Sequence, residues 1–238
     1  MPKLYLIAGH AQGKDEGAQN LKTKETENLI ARDLILQVFP QVRDAVFTDI
    51  CPFDLKLEEQ TSWVNKRAGS DDVVLCCHLN SSPNRTETGA MCFYYGGSQK
   101  SKEMAEKLLD AYCRSTGLKN AGVHPDTSSR FGRLGIVRDT RGWAFLIELG
   151  SINNDLETVK TKSVAGILAG IQAILGKAED KPFADVDRTH PYFSAVDWAK
   201  KRGVAEGYGD GRLGVDETLT VGRFLGFLRK YDDIQKMG

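Results

Sequence analysis

Four side chains in this sequence have the types that hydrolytic metal chemistry needs, and three of them stand at the ends of short apolar runs. His10 follows Leu4-Tyr5-Leu6-Ile7-Ala8-Gly9, His78 follows Val73-Val74-Leu75-Cys76-Cys77, and Glu148 follows Ala144-Phe145-Leu146-Ile147. The fourth, Glu27, begins a helical pattern. Two imidazoles and one carboxylate, with water in the fourth position, make an open site of the catalytic zinc kind, and manganese or iron accept the same ligand types. An ion held there would activate a water and polarise a carbonyl. A carboxylate that ends a buried run loses hydration, which raises its pKa and suits Glu148 to move a proton from that water to a leaving nitrogen. The reaction this set could perform is amide hydrolysis.

Each residue also has a plainer role open to it. A lone histidine is more often a hydrogen-bonded loop residue, and an acid in a first helical turn complements the helix dipole, which would account for both Glu25 and Glu27. The repetition weighs against these roles. Leu4–Ala8, Asp72–Cys77 and Ala144–Ile147 read as buried strands of an α/β sheet, and such sheets gather ligands at their carboxyl edge. A helix begins at Thr26, carries Ile30, Leu34 and Val38 on its apolar stripe, and is expected to end at Pro40. Glu27 lies three residues before Ile30 and seven before Leu34, so it is preferred as the inward-facing acid, with Glu25 as the alternative. No H-E-x-x-H helix is present, and spacing alone does not define the ligand set.

The remaining pattern supplies a frame for these groups. Ala45–Thr48 reads as a second strand, 57–68 as a helix, 89–95 as a strand and 99–116 as an amphipathic helix. Residues 117–133 read as a long loop on the active face, 134–138 as a return to the sheet edge, and 155–176 as a last helix. The chain has 238 residues, 41% of them apolar, which suits one domain of moderate size and a small module. Lys+Arg and Asp+Glu are equal at 32 each, so no basic field exists to gather nucleic acid. The first ten residues hold one lysine and about five apolar residues, too few for a signal-peptide core or a membrane span. The expected location is therefore the cytoplasm of the producing cell. The 5 cysteines form no C-x-x-C pair and read as reduced core residues.

These residues together resemble a known family. Ile7-Ala8-Gly9-His10, the helix-starting Glu27, Cys77-His78-Leu79-Asn80, Gly89 with Phe93-Tyr94-Tyr95, Val137-Arg138, and Leu146 through Asn154 look like the zinc-dependent N-acetylmuramoyl-L-alanine amidases of the Amidase_3 type. The resemblance covers most of residues 3–176. It implies a twisted mixed sheet flanked by helices, one Zn2+ ion, and cleavage of the bond joining the lactyl group of N-acetylmuramic acid to L-alanine in peptidoglycan. Carried over by position, His10, Glu27 and His78 would be the zinc ligands, Glu148 the catalytic acid/base, and Arg138 an active-site residue near the stem peptide. The sequence departs from the family in the tail of the first motif, Ala11-Gln12-Gly13, and at Ser151, where an aromatic residue is common.

Residues 177–184 are polar and proline-containing, a linker by composition between a catalytic domain at 1–176 and a helical module at 185–238. Gly209-Asp210-Gly211-Arg212-Leu213-Gly214 matches G-x-G-x-x-G, but it follows a helix instead of a strand and is not a nucleotide fingerprint. Phe183-Ala184-Asp185-Val186, His190, Trp198-Ala199, Gly203-Val204, Gly207 through Gly211 and Thr220 instead resemble a single S-layer homology module. That likeness implies a secondary cell-wall polymer as partner. Such modules normally come in threes, so a lone one would need a homo-oligomer to complete a binding groove. The reading with most support is a phage or prophage endolysin. The alternatives are a host autolysin, a non-catalytic wall-binding protein on the same scaffold, and a zinc peptidase or deacetylase.

Overall fold

The computed structural model describes residues 2–236 apart from 44, 45, 47, 83–85, 131, 176–181 and 187–189. The chain forms two compact units, Pro2–Gly176 and Lys177–Gly238.

The first unit is built on a six-stranded sheet, with strands β1 (Leu4–Ala8), β2 (Thr48–Ile50), β3 (Val73–Asn80), β4 (Ala90–Tyr94), β5 (Asn120–Pro125) and β6 (Trp143–Ser151). Their spatial order is β2-β1-β3-β6-β4-β5. Neighbours are parallel except β4 and β6, which run antiparallel. This is a mixed sheet flanked by helices, the fold class the sequence implied.

Alternation along the central strands sorts the core into two faces. Leu4, Leu6, Leu75, Cys77, Phe145 and Ile147 meet helices α1 (Glu27–Val42), α3 (Gln99–Thr116) and α5 (Leu156–Leu175) on one face. Tyr5, Ile7, Val74, Cys76, Ala144 and Leu146 face the other way, against α2 (Leu57–Asn65) and the single-turn α4 (Gly135–Arg138). The second face is covered by less helix. His78 and Glu148 continue the period of Cys76 and Leu146, so both belong to this thinly covered face. All 5 cysteines are buried and free.

Several boundaries differ from the sequence expectation. The second strand lies at 48–50 instead of 45–48; positions 45 and 47 are outside the described residues. Helix α1 runs through Pro40 to Val42, and the Arg43 N–H donates to Phe39 O at 3.0 Å, so the ladder resumes after the proline. One missing donor near a helix end is tolerated because only that bond is lost. Residues 120–125, expected within a loop, form edge strand β5, which pairs with β4 through its backbone and shows no apolar alternation. Residues 134–138, expected as a strand, make α4, a run too short to reveal its period.

In the second unit Phe183, Val186, Val196 and Ala205 form a small core. Phe183 is 5% exposed, so the packed part begins inside the segment read as linker; 177–181 lie outside the described residues. The Asp185 carboxylate accepts from the N–H groups of Leu213 and Gly214 at 2.8 and 2.7 Å, closing the Gly-rich loop. Helices α6 (Phe193–Lys201) and α7 (Val221–Lys236) flank that loop in sequence, and α7 has no buried residue. Among the described residues no helix is long and apolar enough to cross a membrane.

Candidate metal centre

His10, Glu27 and His78 come together at the carboxyl edge of β1 and β3, each offering one ligand atom within 4.8 Å of the others. Glu27 lies between the rings. Its Oε2 is 3.2 Å from His10 Nε2, and its Oε1 is 2.8 Å from His78 Nδ1. Ligands about 2 Å from a tetrahedral ion are separated by roughly 3.3 Å, so this set fits zinc with little rearrangement. Glu25 stands apart, half-buried and paired with Lys160 at 2.5 Å.

The surrounding chain fixes each group. His10 is one of two described non-glycine residues with positive φ, at 66°, a conformation that costs energy and persists only when its neighbours enforce it. Asn28 Nδ2 donates to Gly9 O at 2.9 Å, and the buried Gln60 of α2 donates to His10 O at 2.9 Å. Asp15 Oδ2 lies 2.9 Å from His10 Nδ1, which leaves Nε2 for the cluster. A carboxylate behind a ligating imidazole sets its tautomer and ring orientation. The Glu27 oxygens also accept the N–H groups of Leu79 and Ala18, both at 3.0 Å.

Two glycines leave room for the rings. A methyl carbon at Gly9 would lie 2.3 Å from the His78 ring, and one at Gly17 would lie 2.5 Å from the His10 ring.

Glu148 stands beside His78 in the β3–β6 register. Among the described residues its buried Oε2 has no hydrogen-bond partner, and burial pushes its carboxyl up to about 7. Glu27 behaves oppositely: burial would raise it, yet hydrogen bonds to His10 and His78 hold it well below the usual carboxylate range. For His10, burial works against protonation, but the Glu27 carboxylate outweighs it and raises the pKa. Two carboxyls pushed apart in this way suit one to ligation and the other to proton transfer.

Arg138 does not join the cluster. It lies on α4, bonded through Nε and Nη2 to the fully buried Asp126 at 2.6 and 2.9 Å and stacked over Tyr95 at 5.0 Å. Tyr95, the ring beneath Arg138, is four residues beyond Met91, the register partner of Glu148, so its backbone lies about 13 Å along the sheet from the Glu148 row. The two motif asparagines brace a loop: Asn80 Nδ2 donates to Glu87 Oε2, and Asn154 Nδ2 to Glu87 O, both at 2.8 Å.

Sequence reasoning missed Asp15, Gln60 and Asp126. Gln60 carried a signal, being polar and four residues before the apolar Val64 on one helix face. Asp15 and Asp126 lie in irregular stretches where no period marks them.

A mixed sheet thus brings a His-Glu-His cluster able to hold a metal ion beside a buried carboxyl group. Residues 4–175 match the N-acetylmuramoyl-L-alanine amidase family, and the chain belongs to it. Residues 182–220 match the S-layer homology domain. The fold is similar to the catalytic domain of CwlV, an N-acetylmuramoyl-L-alanine amidase from Bacillus (Paenibacillus) polymyxa var. colistinus. That likeness has 24% identity over 73% of this chain and 98% of the other, with a TM-score of 0.59. The catalytic domain of an endolysin targeting Clostridia difficile is 26% identical over 74% of this chain and 98% of the other, with a TM-score of 0.58. An N-acetylmuramoyl-L-alanine amidase of Nostoc punctiforme is 21% identical over 74% of this chain and 98% of the other, with a TM-score of 0.60. Among curated proteins none matches the chain.

Proposed function

We propose that this protein is a zinc-dependent amidase that hydrolyses the bond between the lactyl group of N-acetylmuramic acid and L-alanine in peptidoglycan. The observation that carries this reading is the juxtaposition of the His10–Glu27–His78 cluster with the unpartnered carboxyl oxygen of Glu148. Zinc held by the three ligands would supply Lewis acidity toward the carbonyl and an acidified water. The protein's own part is proton transfer and orientation. Glu148, poised near neutrality by burial, accepts a proton from the attacking water and returns it to the departing amine nitrogen. Asp15 and Gln60 hold His10 in place, and Gly9 and Gly17 keep the rings close.

The same reading makes the protein a phage or prophage endolysin that accumulates in the producing cell's cytoplasm, with the second unit engaging a secondary cell-wall polymer. Likeness to an endolysin catalytic domain and to the S-layer homology domain supports it. Mass spectrometry of digested peptidoglycan tests the activity. The expected products are stem peptides with a free L-alanine amine and glycans that retain their lactyl groups. New reducing ends, or cleavage within the peptide, would refute the assignment. Sedimentation of the protein with purified walls stripped of secondary polymer tests the second unit, which should then lose binding.

A further inference from the structure

Three successive carbonyls at the end of β1 accept hydrogen bonds from buried side-chain amides. Ala8 O and His10 O accept from Gln60 Nε2 at 3.3 and 2.9 Å, and Gly9 O accepts from Asn28 Nδ2 at 2.9 Å. Asn28 is 0% and Gln60 2% exposed. We infer that Asn28 and Gln60 are positioning residues for the metal: they fix the two peptide planes that flank His10, hold that residue in its left-handed conformation, and so set the affinity of the ligand cluster. This rests on the metal-centre part of the amidase reading above.

A peptide group is planar, so pinning its oxygen fixes the orientation of the whole plane. Gly9 O belongs to the plane before the His10 Cα, and His10 O to the plane after it. With both pinned, φ and ψ of His10 are set together. The φ they impose is 66°, a left-handed state disfavoured by roughly 5–30-fold for a residue that carries a Cβ. Released, His10 would return to negative φ, and its imidazole would swing away from Glu27 and His78. The Asp15 carboxylate, 2.9 Å from Nδ1, steadies the ring and not the backbone beneath it.

The two amides join His10 to different elements. Asn28 follows Glu27 at the start of α1, so one helical turn carries both a ligand and the group that sets the next ligand, and His10 is thereby registered to Glu27. Gln60 also donates to Leu55 O at 3.0 Å, which ties the same turn to the entry of α2. Among the described residues the buried Asn28 Oδ1 has no hydrogen-bond partner. A buried amide whose acceptor is unmet contributes little to stability, because the desolvation of that oxygen offsets the bond its donor makes. A leucine there would exchange an orphaned Oδ1 for an orphaned Gly9 O, with little net effect on folding. What the site uses is the donor.

The experiment uses the full chain and reads zinc affinity by competition against a chromophoric chelator, with thermal melting of the metal-free and zinc-loaded forms. Apparent affinity scales with the fraction of protein in the binding-competent conformation, so zinc should bind about 5–30-fold more weakly to Asn28→Leu and to Gln60→Met. The zinc-induced rise in melting temperature should shrink with it, while metal-free Asn28→Leu melts close to wild type. Asn65→Leu is the control for a merely structural loss. Asn65, the last residue of α2, is also an amide clamp, donating to Asp139 O at 2.8 Å, and its loss should lower the melting temperature without changing zinc affinity. Should a variant fail to fold, Asn28→Ser or Gln60→Asn, whose side chains are shorter, takes its place with the same expectation. Wild-type affinity in a folded variant at either position, or an equal loss in Asn65→Leu, overturns the clamp while leaving the metal centre and the amidase reading standing. Wild type that takes up no zinc overturns both.

Discussion

Replacing Gly9 by alanine should remove the metal while sparing the fold. Gly9 is not among the residues with positive φ, so its backbone accepts a side chain; the obstacle is the imidazole of His78. The new methyl carbon would stand 2.3, 2.4 and 2.5 Å from three atoms of that ring. Ordinary carbon contacts need about 3.5–4.0 Å, so the ring must withdraw by more than about 1 Å. It cannot withdraw and keep its place, because Nδ1 is held by Glu27 at 2.8 Å and Glu27 is itself held by two backbone N–H groups. Ligand constellations tolerate displacements of about 0.5 Å. One ligand of three is thus lost or misdirected, and zinc affinity should fall at least about 100-fold, or roughly 2.7 kcal/mol. Competition against a chromophoric chelator measures the affinity, with thermal melting of the metal-free proteins run alongside. Gly69→Ala is the control: its methyl would meet nothing closer than 3.8 Å, and its affinity should match wild type. Zinc binding by Gly9→Ala at wild-type strength, in a folded protein, would refute the packing argument and the role given to His78.

Four further outcomes follow from the geometry. Glu148→Gln should retain zinc and lose turnover by about 10²–10⁴-fold, whereas His78→Ala should lose metal as well; metal content and single-turnover rates separate the two. The acid limb of kcat/KM should follow protonation of Glu148, which burial favours and a bound cation opposes, so that it ceases to be a base as pH falls, and any activity left in Glu148→Gln should lack that limb. Glu148 also has a stability signature. Its folded pKa is raised from 4.5 to about 7, so the folded state binds the proton more tightly than the unfolded chain, and this group's contribution to stability declines as pH rises between those values. Metal-free Glu148→Gln should therefore melt higher than wild type at pH 8 and not at pH 4. Asp126 has the opposite sign: although burial alone would raise it, hydrogen bonds from Arg138 and Gly96 depress its pKa, so its contribution is present above the usual carboxylate range and is lost as pH falls through the depressed value. Asp126→Asn should flatten the acid end of the melting-temperature profile, and an unchanged profile would contradict the Arg138 anchor.

What the sequence disclosed and what it hid divide along physical lines. Strands β1, β3 and β6 are buried on both faces, so their apolar runs stood out, and His10, His78 and Glu148 follow those runs at or near the carboxyl edge. Glu27 was separable from Glu25 because helical phase carries direction. Strand β5 was hidden because an edge strand can be held by backbone pairing alone, and Asn120-Ala-Gly-Val-His-Pro125 has no pattern to reveal it. Asp15 acts through a loop whose shape depends on contacts with Phe53, Asn28 and Gln60, and none of these is local in sequence.

The central claim is that one divalent ion sits among His10, Glu27 and His78. Anomalous diffraction at the zinc edge from crystals grown with equimolar zinc tests it directly. The expected result is a single peak about 2.0–2.2 Å from a nitrogen of each histidine and an oxygen of Glu27. A peak elsewhere, or none at this cluster with zinc in the crystal, would contradict it.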